Sequence, residues 1–230
     1  MMQRVGLIGW PVAHSLSPVM HNAAFAALGM DWEYVLVPVE PGRLGEVLEE
    51  LRARGLAGAN VTVPHKRDVI EHLDRLSEEA AAIGAVNTIS AAGDGALTGS
   101  NTDGMGFLAD LRSHGFDPGG VDALVIGTGG SARAVVHALS SAGASSVVVL
   151  GRSLERAREL TGDMAGRFPS IVLEEALFPG GLDDRLHAAH LVVNCTPLGM
   201  VGHEPSTGLY ADAPFGERHL VCFRSKSGQA

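Results

Sequence analysis

The spacing of apolar residues changes period every ten to fifteen positions through the first half of the chain. Arg4 to Gly9 is a short apolar run and predicts a strand. Ser17 and Pro18 then signal a helix start, serine as N-cap and proline in the first turn. That helix runs through "VMHNAAFAAL" and stops at Gly29. "WEYVLVPV" (32–39) alternates and predicts a strand, and "LGEVLEELRARG" (44–55) predicts an amphipathic helix closed by Gly55. Asn60 to Val63 read as a strand with Val61 and Val63 on one face, stopped by Pro64, which has no N–H for the ladder. "KRDVIEHL" and "SEEAAAIG" follow as short helices. "AVNTISAAGDGALTGSNTDG" (85–104) then reads as a hairpin with "GDG" at its turn.

The second half has a different texture. "VDALVIGTGGSARAVVHALSSAG" is strand, glycine turn, helix, and "SSVVVLGRS" is an unbroken apolar strand of the kind covered on both faces. The helix "LERARELTGDMAGRF", the segment "IVLEEALF", a short helix near Asp183 to Ala188 and the strand "LVVNCTP" complete a βαβαβ order with parallel crossovers. The expected fold class is therefore α/β, an N-terminal α/β domain followed by a Rossmann-like doubly wound domain. The boundary falls near residues 101 to 106, giving domains of 1–103 and 104–230.

Composition narrows the partners. The 230 residues are 46% hydrophobic and 19% charged, enough to bury a core. The net charge of −9 comes with no basic stripe, which argues against nucleic acid and anionic membranes as partners. No stretch reaches transmembrane length, the N-terminal apolar run is short for a signal peptide, and Cys195 and Cys222 make no disulfide framework. The expected location is the cytoplasm. His14, His21, His65 and His72 match no metal-ligand spacing, so no metal is expected.

Gly127, Gly129 and Ala132 fit G-x-G-x-x-G/A after a strand and at the opening of a helix, the setting in which glycines admit a pyrophosphate to the helix N-terminus. Gly130 adds room. The next strand ends in "GRS", with Arg152, Ser153 and, one turn on, Arg156. Glu155 is near, yet no acid occupies the tip. Arginine suits a ribose 2′-phosphate, so the expected cofactor is NADP rather than NAD. Read as a solvated helix start, the two cations would oppose the helix dipole.

In the first half, Ser15 and Ser17 lie in a βα turn suited to an anion such as a carboxylate, although Ser17 alone reads as an N-cap. Thr62, Lys66, Asn87 and Asp103 all fall at or just beyond strand ends, the edge where α/β sheets bind ligands. Taken singly, Asn87 reads as a capped loop, Asp103 as a turn residue and Lys66 as a solvated lysine. Together they offer hydroxyl, amide, ammonium and carboxylate groups to a small polyhydroxylated acid.

"GWPVAHSLSPVMHN", "NVTVPHK", "GAVNT", "NTDGMGF", "GTGGSARA", "GRSLERA" and "NCTPLGM", in this order from about Val5 to Met200, resemble the successive motifs of shikimate dehydrogenases. The resemblance implies NADPH-dependent reduction of 3-dehydroshikimate to shikimate, in aromatic amino acid biosynthesis, by two α/β domains with a cleft between them. It implies that Ser15 and Ser17 hold the carboxylate, that Thr62, Asn87 and Asp103 hold ring hydroxyls with Asn60 nearby, and that Lys66 is the catalytic lysine with Asp103 orienting it. In that role Lys66 is a general acid in reduction, and in oxidation a base or only a ligand for the hydroxyl. It implies a cofactor site of Gly127, Thr128, Gly129, Gly130, Ser131, Gly151, Arg152, Ser153, Leu154, Glu155 and Arg156, with Glu78 near the cofactor and Thr196, in "NCTPLGM", lining the nicotinamide side. A quinate-using relative is the nearest variant. After "HLVC" the resemblance ceases: "FRSKSGQA" replaces the family's closing segment. The expectation is an incomplete second domain with poor turnover, at the extreme a non-catalytic cofactor-binding chain.

Overall fold

The structure, a computed structural model, describes residues 2–53, 57–92, 94–180, 182–197 and 220–223. Its chain separates into two units, Met1–Thr102 and Asp103–Ala230. Gly55, Gly93, Leu198, Gly199, Met200 and the tail from residue 224, to which several of the expectations above refer, lie outside the described residues.

The first unit runs β1 (Gln3–Gly9), α1 (Ser17–Ala27), β2 (Trp32–Pro38), α2 (Leu44–Ala53), β3 (Gly58–Val61), a 3-10 turn at Asp68–His72, β4 (Arg75–Leu76), α3 (Glu78–Ile83), β5 (Thr88–Ala91) and β6 (Leu97–Ser100). Its six strands lie in the order β2-β1-β3-β5-β6-β4. β1 pairs in parallel with β2 and β3, while β3–β5 and β5–β6 are antiparallel. Neighbouring side chains on β1 go to opposite faces. Leu7 joins a small core with Val12 and Tyr34, and Ile8 joins the main one with Val61, Val69, Val86 and Ile89.

Several local expectations need correction. β3 ends at Val61 rather than Val63. Val63 does not share a face with the buried Val61; it is 45% exposed, because the chain turns at once, with His65 N–H donating to the Thr62 carbonyl at 3.0 Å. "KRDVIEHL" is a 3-10 turn that buries Val69. The two-residue β4 has no periodicity to read. Ser17 is the first helical residue of α1, not its cap: the N-cap position is Leu16, with no side-chain capping bond.

The second unit runs α4 (Asp103–Ser113), β7 (Asp122–Ile126), α5 (Gly130–Ser141), β8 (Ser146–Gly151), α6 (Leu154–Ala165), β9 (Val172–Leu177), α7 (Leu182–Ala188), β10 (Leu191–Asn194) and β11 (Leu220–Phe223). All its strand pairs are parallel, in the order β11-β10-β7-β8-β9. The unbroken apolar runs reflect burial on both faces. Ala123 and Val125 pack with Val136, Leu139 and Val149, while Leu124 and Ile126 pack with Leu150, Leu186 and Val192. Among the described residues, no helix is long and apolar enough to cross a membrane.

In the first unit, Asp74 fastens the hairpin to α2. Its Oδ2 accepts the Leu97 N–H at 2.7 Å and an Arg52 guanidinium N–H at 3.1 Å. The Leu97 bond, with the Arg52 charge behind it, holds the Asp74 carboxyl below its usual value of 3.8. A lowered native pKa stabilises the fold above the unfolded-state value, and that contribution disappears as pH falls through the lower native value. Asp74→Asn should therefore lower Tm at pH 7 and flatten the decline of Tm below about pH 4. Tm curves of equal steepness for both proteins would show that Asp74 contributes nothing to acid sensitivity.

Candidate active site

The parallel pair β1 and β3 ends at Gly9 and Val61, and the chain beyond β3 folds back into a turn that carries three buried polar side chains, Thr62, His65 and Lys66. Thr62 is 6% exposed and Lys66 4%. The turn is tied down throughout: Thr62 N–H donates to Ile8 O at 2.8 Å, Val69 N–H to His65 O at 3.0 Å, and Val86 N–H to Lys66 O at 2.7 Å. The His65 ring is buried, with Nε2 2.7 Å from the Val39 carbonyl. Thr62 Oγ1 is buried and has no hydrogen-bond partner among the described residues. Its methyl lies against β1, where a Cβ on Gly9 would collide with Thr62 Cγ2. Buried hydroxyls are ordinarily paired, so the Thr62 oxygen is a group that a ligand could partner.

The remaining polar groups of this unit form one connected set. Ser15 Oγ donates to Ser17 Oγ at 3.1 Å and accepts the Ser17 N–H at 3.3 Å. The Ser17 hydroxyl is thus engaged with Ser15, and also with Tyr34, which is why it does not cap α1. Tyr34 Oη donates to Asn60 Oδ1 at 2.8 Å. Asn60 Nδ2 lies 3.4 Å from the Asn87 carbonyl and 3.3 Å from Thr88 Oγ1. Asn87 Nδ2 donates to Thr102 Oγ1 at 3.0 Å, and Asn87 Oδ1 accepts the Thr102 N–H at 3.0 Å. Ser15, Ser17, Asn60 and Asn87 are therefore brought into one network. Thr62 and Lys66 adjoin it through the backbone bonds of Val61 and Val86 to Asn87 and Lys66. Tyr34 belongs to this set, and the sequence alone does not point to it. Burial pushes its phenol up to about 12, opposed by the hydrogen bond with Ser17. Asp103, the residue after Thr102, is half-buried as the first residue of α4 in the second unit.

Within the second unit, the crevice between β7 and β10 is where the order of strands reverses, the place at which doubly wound sheets bind ligands. Gly127 follows β7 with φ +121°, and a Cβ there would lie 3.2 Å from both the carbonyl carbon and oxygen of Cys195. Thr128 puts its methyl over Gly151, where a Cβ would approach it to 2.7 Å. Gly129 is the N-cap of α5, and a Cβ on it would meet nothing within 4 Å. Gly130 and Ser131 form the first turn of α5, at the positive end of its dipole. At the tip of β8, Ser153 caps α6 by accepting the Arg156 N–H at 3.3 Å, with Leu154 and Glu155 in the first turn. Arg152 and Arg156 are exposed, and among the described residues neither guanidinium has an ion-pair partner. Thr196 donates its hydroxyl and N–H to Asn194 Oδ1, at 2.7 and 2.9 Å. Glu78 is exposed in the first turn of α3, in the first unit. These features fit a dinucleotide phosphate: open glycine backbone, a helix start, and two uncommitted cations one strand away.

Residues 7–89 match the shikimate dehydrogenase substrate binding domain, and residues 113–197 match the shikimate / quinate 5-dehydrogenase family. The chain is 49% identical over 208 residues to a shikimate dehydrogenase (NADP(+)) of Moorella thermoacetica, covering 90% of this chain and 70% of the relative. A shikimate dehydrogenase structure from Aquifex aeolicus superposes with a TM-score of 0.81 at 35% identity, over 96% of this chain and 78% of that one. A shikimate 5-dehydrogenase from Thermus thermophilus, in complex with NADP(H) and shikimate, gives a TM-score of 0.74 at 39% identity, over 86% and 70% of the two chains.

The backbone at Gly127 carries its own prediction. Alanine would have to adopt φ +121° and press on the Cys195 carbonyl, so Gly127→Ala should cost about 1–3 kcal/mol of stability, the scale of a forced positive φ. Chemical denaturation of the two proteins measures it, and equal midpoints would show that the turn relaxes without strain.

Proposed function

The chain belongs to the shikimate dehydrogenase family, and from that premise we propose that the polar network of the first unit holds shikimate and 3-dehydroshikimate while the glycine turn of the second holds NADP(H). The reaction is the reversible, NADP-dependent interconversion of the two acids in aromatic amino acid biosynthesis. The observation that carries the assignment of the substrate side is the orphaned Thr62 Oγ1, buried in the same turn as Lys66 and at the edge of the Ser15–Asn87 network. A ring hydroxyl is the partner that this oxygen lacks.

Each residue then has a task that its chemistry suits. Ser15 and Ser17 hold the carboxylate with hydroxyl groups. Thr62, Asn60, Asn87 and Asp103 hold ring hydroxyls as donors or acceptors. When bound, NADPH supplies the hydride that forms the new C–H bond at the ketone carbon. Lys66 Nζ donates the proton that completes the O–H bond, so ketone becomes secondary alcohol with charge and atoms balanced. In the oxidation direction the neutral amine takes that proton back. The amides of Gly127, Thr128, Gly129, Gly130 and Ser131 hold the pyrophosphate at the start of α5. Arg152 and Arg156, with Gly151, Ser153, Leu154 and Glu155 around them, hold the ribose 2′-phosphate. Thr196 lines the nicotinamide side, and Glu78 stands near the cofactor. Two cysteines make no disulfide framework, which suits a reducing compartment, and this reading assigns the protein to the cytoplasm.

Two variants test the assignment. In a version of the chain carrying a family-type closing segment, Lys66→Ala should lower kcat for shikimate oxidation about 10²-fold or more, with a smaller rise in KM, as loss of a proton-transfer group does. A kcat near that of the parent would remove Lys66 from the chemistry. Arg152→Ala should weaken NADP binding by about 1.5–3 kcal/mol and leave NAD binding nearly unchanged, because only the 2′-phosphate takes the charge-assisted bond. Titrating both cofactors distinguishes this from equal losses, which would move the 2′-phosphate elsewhere.

A further inference from the structure

Tyr34 is held more firmly than a core aromatic needs. Its N–H and carbonyl are both gripped by one side chain of α1: Asn22 Oδ1 accepts the N–H at 2.8 Å, and Asn22 Nδ2 donates to the carbonyl at 3.0 Å. The residue is 4% exposed, and its ring stacks on His21 with centroids 4.3 Å apart and planes 8° from parallel. Backbone and ring being fixed, the hydroxyl has one place to go. It donates to Asn60 Oδ1 at 2.8 Å and is hydrogen-bonded to Ser17 as well.

That single oxygen therefore stands between two parts of the network. On one side are Ser15 and Ser17, 3.1 Å apart through their hydroxyls. On the other is Asn60, whose amide is oriented by the contact: with Oδ1 taken up by the phenol, Nδ2 faces the acceptors Asn87 O and Thr88 Oγ1. Thr88 Oγ1 in turn donates to Asn87 Oδ1 at 2.9 Å. A phenol pushed up to about 12 by burial keeps its proton throughout the neutral range, so it remains a donor to Asn60 and adds no negative charge beside the serines.

Resting on the substrate assignment above, we propose that Tyr34 is a positioning residue that sets the distance and orientation of Asn60 relative to the Ser15–Ser17 pair, matching this unit to a ligand that carries a carboxylate and ring hydroxyls at a fixed separation. Tyr34 does not touch the reacting atoms. It acts through Ser17 and Asn60, and its hydroxyl is the only part of it needed for that purpose.

The test is a double-mutant cycle of Tyr34→Phe and Asn60→Ala in the full chain, read by calorimetric titration with shikimate and by steady-state kinetics. Tyr34→Phe keeps the ring and its stack on His21 and removes one oxygen. It should weaken shikimate binding and raise KM for shikimate roughly three- to tenfold, the range of one hydrogen bond. The KM for NADP+ should not change, whereas general loosening of the fold would move both. The double variant should lose less shikimate affinity than the sum of the two single variants, because part of the phenol's effect passes through Asn60. An unchanged KM in Tyr34→Phe, or losses that add in the double variant, would overturn the proposal while leaving the function intact. A parent chain that does not bind shikimate would overturn both.

Discussion

The hydrogen bond from Val86 N–H to the Lys66 carbonyl, 2.7 Å long, joins two segments well separated in sequence, and the substrate half of the protein is organised around it. The turn after β3 has left its strand and has no ladder to satisfy its carbonyls, so this bond supplies a partner from the approach to β5. The next residue continues the work. Asn87 donates its N–H to Ser100 and accepts from Val61 through its carbonyl, while its side-chain oxygen takes the Thr102 N–H. Two consecutive residues thus fasten β3, the Lys66 turn, β6 and the end of the first unit. Loosening there would displace Lys66, Asn60 and Thr102 together, so their geometry is a property of one cooperative patch.

The second unit relies on close approach rather than on polar knots. A wholly parallel sheet leaves its loops to meet at the carboxyl ends of β7, β8 and β10, and these loops fit because side chains are absent where they cross. Gly127 clears the Cys195 carbonyl, and Gly151 clears the Thr128 methyl. One level out, the buried Arg133 of α5 pairs with Asp163 of α6, fixing the two helices that start at the glycine turn and at the arginine tip. A charge so buried is costly unless paired, so separating those helices is disfavoured by more than lost packing.

Much of this is legible in the residues because its signals are local. G-x-G-x-x-A after an apolar run, a proline behind a short strand and arginines at a strand tip each occupy a few adjacent positions. Ser17 reads as a cap because Ser-Pro at a helix start looks the same whether the hydroxyl turns to the helix or to a tyrosine on the following strand. Tyr34 escapes notice because a tyrosine in an alternating strand is ordinarily core, and nothing in "WEYVLVPV" reveals that its hydroxyl ends beside Asn60. Val63 falls on the buried face by alternation alone, which cannot show that β3 has already ended. In each case the deciding feature lies outside the local pattern.

The clearance at Gly9 bears on the entropy of recognition. With the Thr62 methyl lodged against β1, the threonine is pinned about χ1, and its hydroxyl points in one direction before any ligand arrives. The loss of rotamer freedom belongs to folding, where it is offset by burial of the methyl, and not to association. On the substrate assignment proposed above, bulk at position 9 would act at a distance on ligand affinity, by displacing the Thr62 methyl together with the Val12 side chain and the Val63 carbonyl beside it.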